Sequence, residues 1–245
     1  MTERDRDILR WLHRYRYLRQ DHLIRILSPK SPKRFIERLG DLFHETGFIN
    51  RPQIQAPLFD ARATPMLYEI SPKGTRYLDE LGQLPSRAVT FSTRRRNSFS
   101  PQFLHTMMII DTLLDTELES IATPHRTFMP VDDILARAPE TTRNARNPLA
   151  LPIRINGQAS KIIPDALYGI AHTEQTPTGY RFIALECERT SPRHRNTGTA
   201  SSTSKKQIAY AELQRTKAFT SLWGIPNLEL RVVTSEKDRA PKNGR

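Results

Sequence analysis

The sequence predicts a mixed α+β protein in two domains, and three observations carry that expectation. The chain has 245 residues, more than one average domain, and either half is long enough to close its own core. Its apolar residues recur at helical spacing up to residue 47 and then change to strand-like runs, a sequence repeated beyond residue 100. Between these halves, residues 83–100 (QLPSRAVTFSTRRRNSFS) are polar, basic and weakly periodic, and read as a linker. The expected divisions are a domain over 1–82, the linker over 83–100, a second domain over 101–235 and a charged tail over 236–245.

Each element has a local reason. Thr2 is placed to cap a first helix, with Asp5 three residues on in capping-box position, and Ile8, Trp11, Leu12 and Tyr15 supply its apolar face. A second helix runs from about Arg19 to Leu27 and stops at Ser28-Pro29, because proline disfavours helix in the residue before it. Ser31-Pro32 restarts the chain as N-cap and first helical residue; Phe35, Leu39, Leu42 and Phe43 form the apolar face, and Gly47 ends it. Phe48–Ala56 and Thr64–Ile70 read as a hairpin, and Ser71-Pro72 opens a fourth helix that closes at Gly82. Ser100-Pro101 starts a long helix with Phe103, Met107, Ile110, Leu114 and Leu118 on one stripe.

Strands dominate the chain beyond this helix. Arg126–Val131 is short; Leu151–Ile155 and Ser160–Ile170 flank the turn pair Asn156-Gly157; Tyr180–Glu188 comes next. Residues 189–204 hold nothing more apolar than alanine and read as a loop. Lys205 to about Leu222 is helical, and Leu228–Thr234 is the last strand.

Composition narrows the partners. With 38 Lys and Arg against 26 Asp and Glu, the net charge is +12 and the pI about 10.2. Residues 1–100 hold 19 basic and 11 acidic side chains, so the first half is the stronger electrostatic footprint for nucleic acid. The single cysteine, Cys187, excludes an internal disulfide and a Cys-rich zinc module, and the seven histidines show no paired zinc spacing. No phosphate-loop or dinucleotide glycine motif occurs. No run approaches the ~20 apolar residues of a membrane span, and the charged start MTERDRDILR is unlike a signal peptide, so a cytoplasmic location without membrane contact is expected.

Three helices, a hairpin and a closing helix match the order of a winged helix-turn-helix, whose third helix enters the major groove of duplex DNA. Lys33, Arg34 and Arg38 lie on that helix, Lys30 just before it, and Arg51 and Arg62 on the wing; these are the expected DNA contacts. The alternative for each is an ordinary solvated face. TERDRDILRWLHRYRYLRQDHLIRIL, RLGDLFHETGFINRP and YEISPKGTRYL resemble the N-terminal winged helix of the replication-relaxation proteins of bacterial plasmids and mobile elements. The resemblance continues through the His105 helix, PDALYGI and ALECERT. It implies duplex-DNA binding in replication or maintenance of a mobile element, and little chemistry.

The second half is similar to the restriction-endonuclease-like, PD-(D/E)XK core in its order of helix, three strands, helix and strand. Alternation puts Ala184, Glu186 and Glu188 on one face of a strand and Ile183, Leu185 and Cys187 on the other. Asp165 on the adjoining strand could complete a carboxylate set for Mg²⁺ or Mn²⁺, an ion that supplies both the stabilising charge and the hydroxide that phosphodiester hydrolysis needs. The resemblance makes Asp165, Glu186 and Glu188 the metal ligands, with Glu117 or Glu119 as a further candidate. Glu188 stands where that family has lysine, so Lys205 or Lys206 from the next helix is the candidate replacement. Arg193 and Arg195 belong to a basic rim suited to the DNA backbone.

Three functions remain open on sequence grounds. One is a DNA-binding protein with a metal-dependent endonuclease domain. Another is a non-catalytic accessory or regulator of plasmid replication on an inactive nuclease fold, and the third is a protein-interaction module. Winged helices commonly pair, so a homodimer is compatible, but no apolar stripe demands one.

Overall fold

The computed structural model describes residues 1–58, 65–90, 101–155, 157–174, 176–188 and 202–235. Its contacts fall into two compact units, Met1–Leu118 and Glu119–Arg245. The architecture is mixed α+β, with small sheets in both units.

The first unit begins with α1 (Glu3–Tyr15), and the expected capping box is present. The Thr2 amide donates to Asp5 Oδ2 at 2.7 Å, and the Asp5 amide donates to Thr2 Oγ1 at 3.2 Å. Ile8, Leu9, Leu12 and Tyr15 are buried, whereas Trp11 is only half-buried and stacks on Tyr15. A two-residue strand β1 (Leu18–Arg19), too short to show in the sequence, precedes α2 (Gln20–Leu27). Then comes α3 (Pro32–His44), capped by Ser31 Oγ accepting from the Arg34 amide, with Phe35, Leu39 and Leu42 buried.

Beyond α3 the expected hairpin is shorter than its apolar pattern. β2 is only Ile49–Asn50, and Gln53–Leu58 winds into a 3₁₀ turn. Pro52 has no amide to give a ladder. The Gln55 side chain instead accepts from the Leu67 amide at 2.8 Å and donates to the Leu67 carbonyl at 3.1 Å. β3 (Leu67–Ile70) pairs antiparallel with both β1 and β2, giving the order β1-β3-β2.

α4 (Pro72–Glu80) starts at Ser71, whose Oγ accepts from the Gly74 amide at 3.0 Å. Gly74 is dictated by a close approach, since a Cβ there would lie 2.4 Å from the Phe48 carbonyl oxygen. The first residues of the expected linker pack against this unit. The Ala88 amide donates to the Arg14 carbonyl at 3.0 Å, and Ala88 and Val89 are buried. The rest of that stretch, 91–100, lies outside the described residues.

Most of α5 (Pro101–Ala122) belongs to the first unit, so the units divide at residue 118 and not at the expected 100. Three of its acids explain this. Asp111 accepts from Arg19 at 3.0 and 3.1 Å and lies 3.1 Å from His22; Asp115 meets Arg25 at 2.5 Å. Glu117 meets Arg14 at 2.7 Å and accepts from the Tyr15 hydroxyl at 2.5 Å.

The second unit holds a four-stranded sheet in the order β4-β7-β8-β9. β4 (Arg126–Met129) is followed by two short helices, α6 (Val131–Ala136) and α7 (Glu140–Arg143), which apolar periodicity does not reveal. β5 (Leu151–Ile155) and β6 (Gln158–Ile162) form a separate two-stranded hairpin, with Gly157 at φ 80° in the expected turn. The predicted strand Ser160–Ile170 is therefore broken. Ile163-Pro164-Asp165 separates β6 from β7 (Ala166–His172), because Pro164 lacks an amide and Asp165 turns its carboxylate toward β8.

β7 pairs antiparallel with β4 and with β8 (Gly179–Glu188). The chain then crosses through α8 (Ser202–Thr216) and α9 (Ala218–Trp223) to β9 (Glu229–Thr234), parallel to β8. The single predicted helix splits at Lys217, whose φ of 50° is left-handed. Leu213, Phe219 and Trp223 fill the core with Leu151, Leu167 and Ala184, and the Trp223 indole donates to the Pro148 carbonyl at 2.9 Å.

Asp5 is the polar hub of the first unit, 1% exposed and held by Arg38 from α3 at 3.0 and 2.8 Å. Burial pushes its carboxyl pKa up, but Arg38 and Thr2 outweigh that and hold it below the ordinary 3.8. The stability this confers is complete above pH 3.8 and is lost as pH falls through the lower folded value. Asp5→Ala is expected to cost about 2 kcal/mol near neutral pH, from a lost cap and a lost charged hydrogen bond. Urea unfolding checks this, and the gap to wild type narrows in acid.

Candidate functional site

The second unit buries an acid in the middle of its sheet. β8 lies between β7 and β9, and Phe182 through Cys187 are all buried, so alternation does not leave one face wet. Glu186 is 1% exposed. On its face of the sheet α8 supplies two partners one turn apart. The Lys206 ammonium makes a short ion pair with Glu186 Oε2, and the Tyr210 hydroxyl donates to Oε1 at 2.8 Å. Asp165, at the entrance to β7, accepts from the Cys187 amide at 2.8 Å, which holds it beside Glu186.

The electrostatics reflect this crowding. Burial raises the Glu186 pKa, and the nearby Asp165 charge raises it further; Lys206 and Tyr210 pull it down without cancelling the rise. Burial disfavours the Lys206 ammonium, yet Glu186, then Asp165 and Glu188, hold its pKa above the ordinary lysine value. The Tyr210 hydroxyl is pushed well up, first by burial and then by the Glu186 charge. One ammonium thus faces three carboxylates. Cys187 is buried, as its place on the strand implies.

Of the predicted centre, Asp165, Glu186 and Lys206 come together. Glu188, half-buried at the end of β8, acts on Lys206 through charge. Lys205 lies in the first turn of α8, and its side chain is outside the described residues. Among the described residues no three His, Cys, Asp or Glu side chains stand close enough to cage a metal ion. The two helical acids offered as extra ligands are engaged elsewhere, Glu117 with Arg14 and Tyr15 and Glu119 with Arg126 at 2.9 Å. Tyr210 is the member of the centre that sequence reasoning misses. The signal for it is spacing: Lys206 and Tyr210 are i and i+4, one face of one helix.

In the first unit the predicted cations separate into two kinds. Lys30, Lys33 and Arg34 are exposed at the start of α3 and make no ion pair among the described residues. Arg38 is committed to Asp5 and lies 3.5 Å from Asp41. Arg51 lays its guanidinium over the Phe43 ring at 4.5 Å and near Tyr68 at 5.7 Å, a packing role. Arg62, Arg193 and Arg195 lie outside the described residues.

Fold and centre together define a mixed α+β protein of two units, one presenting a basic helix start, the other holding acids against a lysine. The replication-relaxation family matches residues 9–225, and the chain belongs to that family. No match was found among curated proteins or among solved structures. Among the described residues no helix is long and apolar enough to cross a membrane.

Removing one partner of a buried ion pair leaves an uncompensated charge. Lys206→Met is therefore expected to destabilise the second unit by about 3 kcal/mol. Tyr210→Phe, which removes one donor and leaves Lys206 in place, costs about 1–2 kcal/mol. Chemical unfolding followed by tryptophan fluorescence in a Trp11→Phe background, where Trp223 is the reporter, measures both.

Proposed function

We propose that this chain binds duplex DNA in the replication or maintenance of a plasmid or mobile element, and that its second unit is a metal-dependent endonuclease. Convergence of Asp165, Glu186 and Lys206 on one sheet end is the observation that carries the nuclease reading. The main sheet of the second unit, with β4, β7 and β8 antiparallel and β9 parallel to β8 after the α8–α9 crossover, supports a PD-(D/E)XK core around them. Membership of the replication-relaxation family supports the biological setting.

The donors fit Mg²⁺ or Mn²⁺. Magnesium is commonly held by one or two carboxylates, with waters and substrate phosphate completing its shell, so a three-acid cage is not needed. Asp165 and Glu186 would hold the ion, with Glu188 beside them, and each carboxylate retains lone pairs beyond those its present donors occupy. When bound, the ion supplies positive charge at the phosphate and hydroxide at neutral pH. The Cys187 amide fixes Asp165, and Tyr210 fixes Glu186. Lys206, whose proton is held firmly, is suited to stabilising charge that develops on the phosphate, not to acting as a base.

DNA binding falls to the first unit. The order α1-β1-α2-α3-β2-β3 with sheet order β1-β3-β2 supports a winged helix, and three of the predicted cations, exposed and without an ion pair among the described residues, lie where α3 begins. Lys30, Lys33 and Arg34 are the proposed phosphate contacts. A second reading, a DNA-binding regulator on an inactive nuclease fold, is favoured by Glu188 at the lysine position and by the closure of both Glu186 oxygens.

Supercoiled plasmid incubated with Mn²⁺, Mg²⁺ or EDTA separates the two. Metal-dependent nicking by wild type, abolished in Asp165→Ala and Glu186→Ala with DNA binding retained, is the expected result. No cleavage in any metal, with binding intact, leaves the regulator. For the binding itself, the Lys33→Ala/Arg34→Ala double variant is expected to make the slope of log affinity against log salt shallower by about 2. An unchanged slope removes these residues from the phosphate contacts.

A further inference from the structure

The outward face of α3 carries two residues that neither the fold nor phosphate binding explains. Phe35, Leu39 and Leu42 define the buried side of this helix. At 3.6 residues per turn, the opposite stripe runs through Lys33, Glu37, Gly40 and His44. Glu37 is exposed and has no ion-pair partner among the described residues, although Lys33 stands one turn before it. The other acid of α3, Asp41, lies beside Arg38 at 3.5 Å. A lone carboxylate at the centre of a face offered to a polyphosphate is repelled by it, unless the carboxylate passes between the backbones and meets a donor.

Gly40 is the second anomaly. Glycine inside a helix is costly relative to alanine. Here a Cβ would meet nothing within 4 Å, and the backbone is not left-handed. Neither packing nor conformation within the described residues calls for glycine, and its bare backbone permits a close approach.

We propose that this stripe reads base sequence in the major groove: Glu37 accepts a hydrogen bond from cytosine N4 of a C·G pair, and Gly40 lets the duplex approach the helix backbone. The proposal rests on the DNA-binding reading above and adds its specificity. Cytosine N4 is the major-groove donor that acidic side chains match, while Lys33 at the end of the stripe remains available for phosphate.

The test is selection of duplexes from a randomised pool by wild type, Glu37→Ala and Glu37→Gln, with affinities and salt slopes measured on the selected site. Wild type is expected to prefer C·G about tenfold at one position. Glu37→Ala loses that preference, Glu37→Gln moves it toward A·T, and neither changes the salt slope, because no phosphate contact is removed. Gly40→Ala is expected to raise the melting temperature of the free protein while weakening its binding to the selected duplex about fivefold or more.

The same base preference in wild type and Glu37→Ala overturns the role of Glu37, and undiminished affinity in Gly40→Ala overturns the close approach. Wild type that binds duplex with no base preference overturns the specificity and leaves the DNA-binding reading standing. Failure of wild type to bind any duplex overturns both.

Discussion

A carboxylate that is 1% exposed in the central strand of a sheet is the constraint on which the second unit depends. Left alone, a buried charge costs several kcal/mol, so Glu186 requires a cation and donors at fixed positions. Those positions fix α8. Lys206 and Tyr210 occupy successive turns of one helix face, and satisfying both Glu186 oxygens sets the rotation of that helix over the sheet. Leu213, one turn further on, then reaches the core, and α9 adds Phe219 and Trp223. An apolar trio in place of Glu186, Lys206 and Tyr210 would pack the same space at no electrostatic cost. Stability alone therefore does not account for the acid.

The first unit shows how far net charge misleads as a guide to binding. Its arginines are numerous, but Arg14, Arg19, Arg25 and Arg38 are answered by Glu117, Asp111, Asp115 and Asp5. These pairs hold α1, β1, α2 and α3 against α5 and the Asp5 hub, so their charge is satisfied within the protein. Arg51 is laid over aromatic rings. What remains for a polyanion among the predicted contacts is the short run Lys30, Lys33 and Arg34, at the entrance to one helix. Charge counting finds the half of the chain that is basic; pairing decides which few cations are available.

Local chemistry makes much of the frame legible. Thr2 with Asp5, Ser31-Pro32 and Ser71-Pro72 mark three helix starts because capping is decided within four residues. Asn156-Gly157 marks the hairpin for the same reason. Elements set by distant partners are not legible. β1 exists because β3 lies beside it, and Gln53–Leu58 turns because Gln55 reaches Leu67, twelve residues away. α5 looks like the opening of a second domain because its apolar stripe says nothing of which arginines await its acids. At the centre, carboxylates two apart on a strand point to Glu186, and the displaced lysine is one of two neighbours at the start of the next helix. Tyr210 is hidden, since a tyrosine on an amphipathic helix looks like core until the buried acid beside it is known.

The positions that break local rules sort by whether the fold supplies a reason. Gly74 sits inside the first turn of α4, and a carbonyl oxygen 2.4 Å from where its Cβ would lie accounts for it fully. Gly40, also helical, has open space around it and no such account. Asp5 is buried because it caps one helix and ties down another; Glu186 is buried with a lysine that shares three acids, an arrangement no strand needs for its own sake. Sequences tend to violate local consistency where function is served. Among these positions the unexplained violations fall in two places, the outward stripe of α3 and the end of β8 under α8. Each unit thus carries one of them, a division that matches the proposal that recognition of DNA and chemistry on it are the work of separate units.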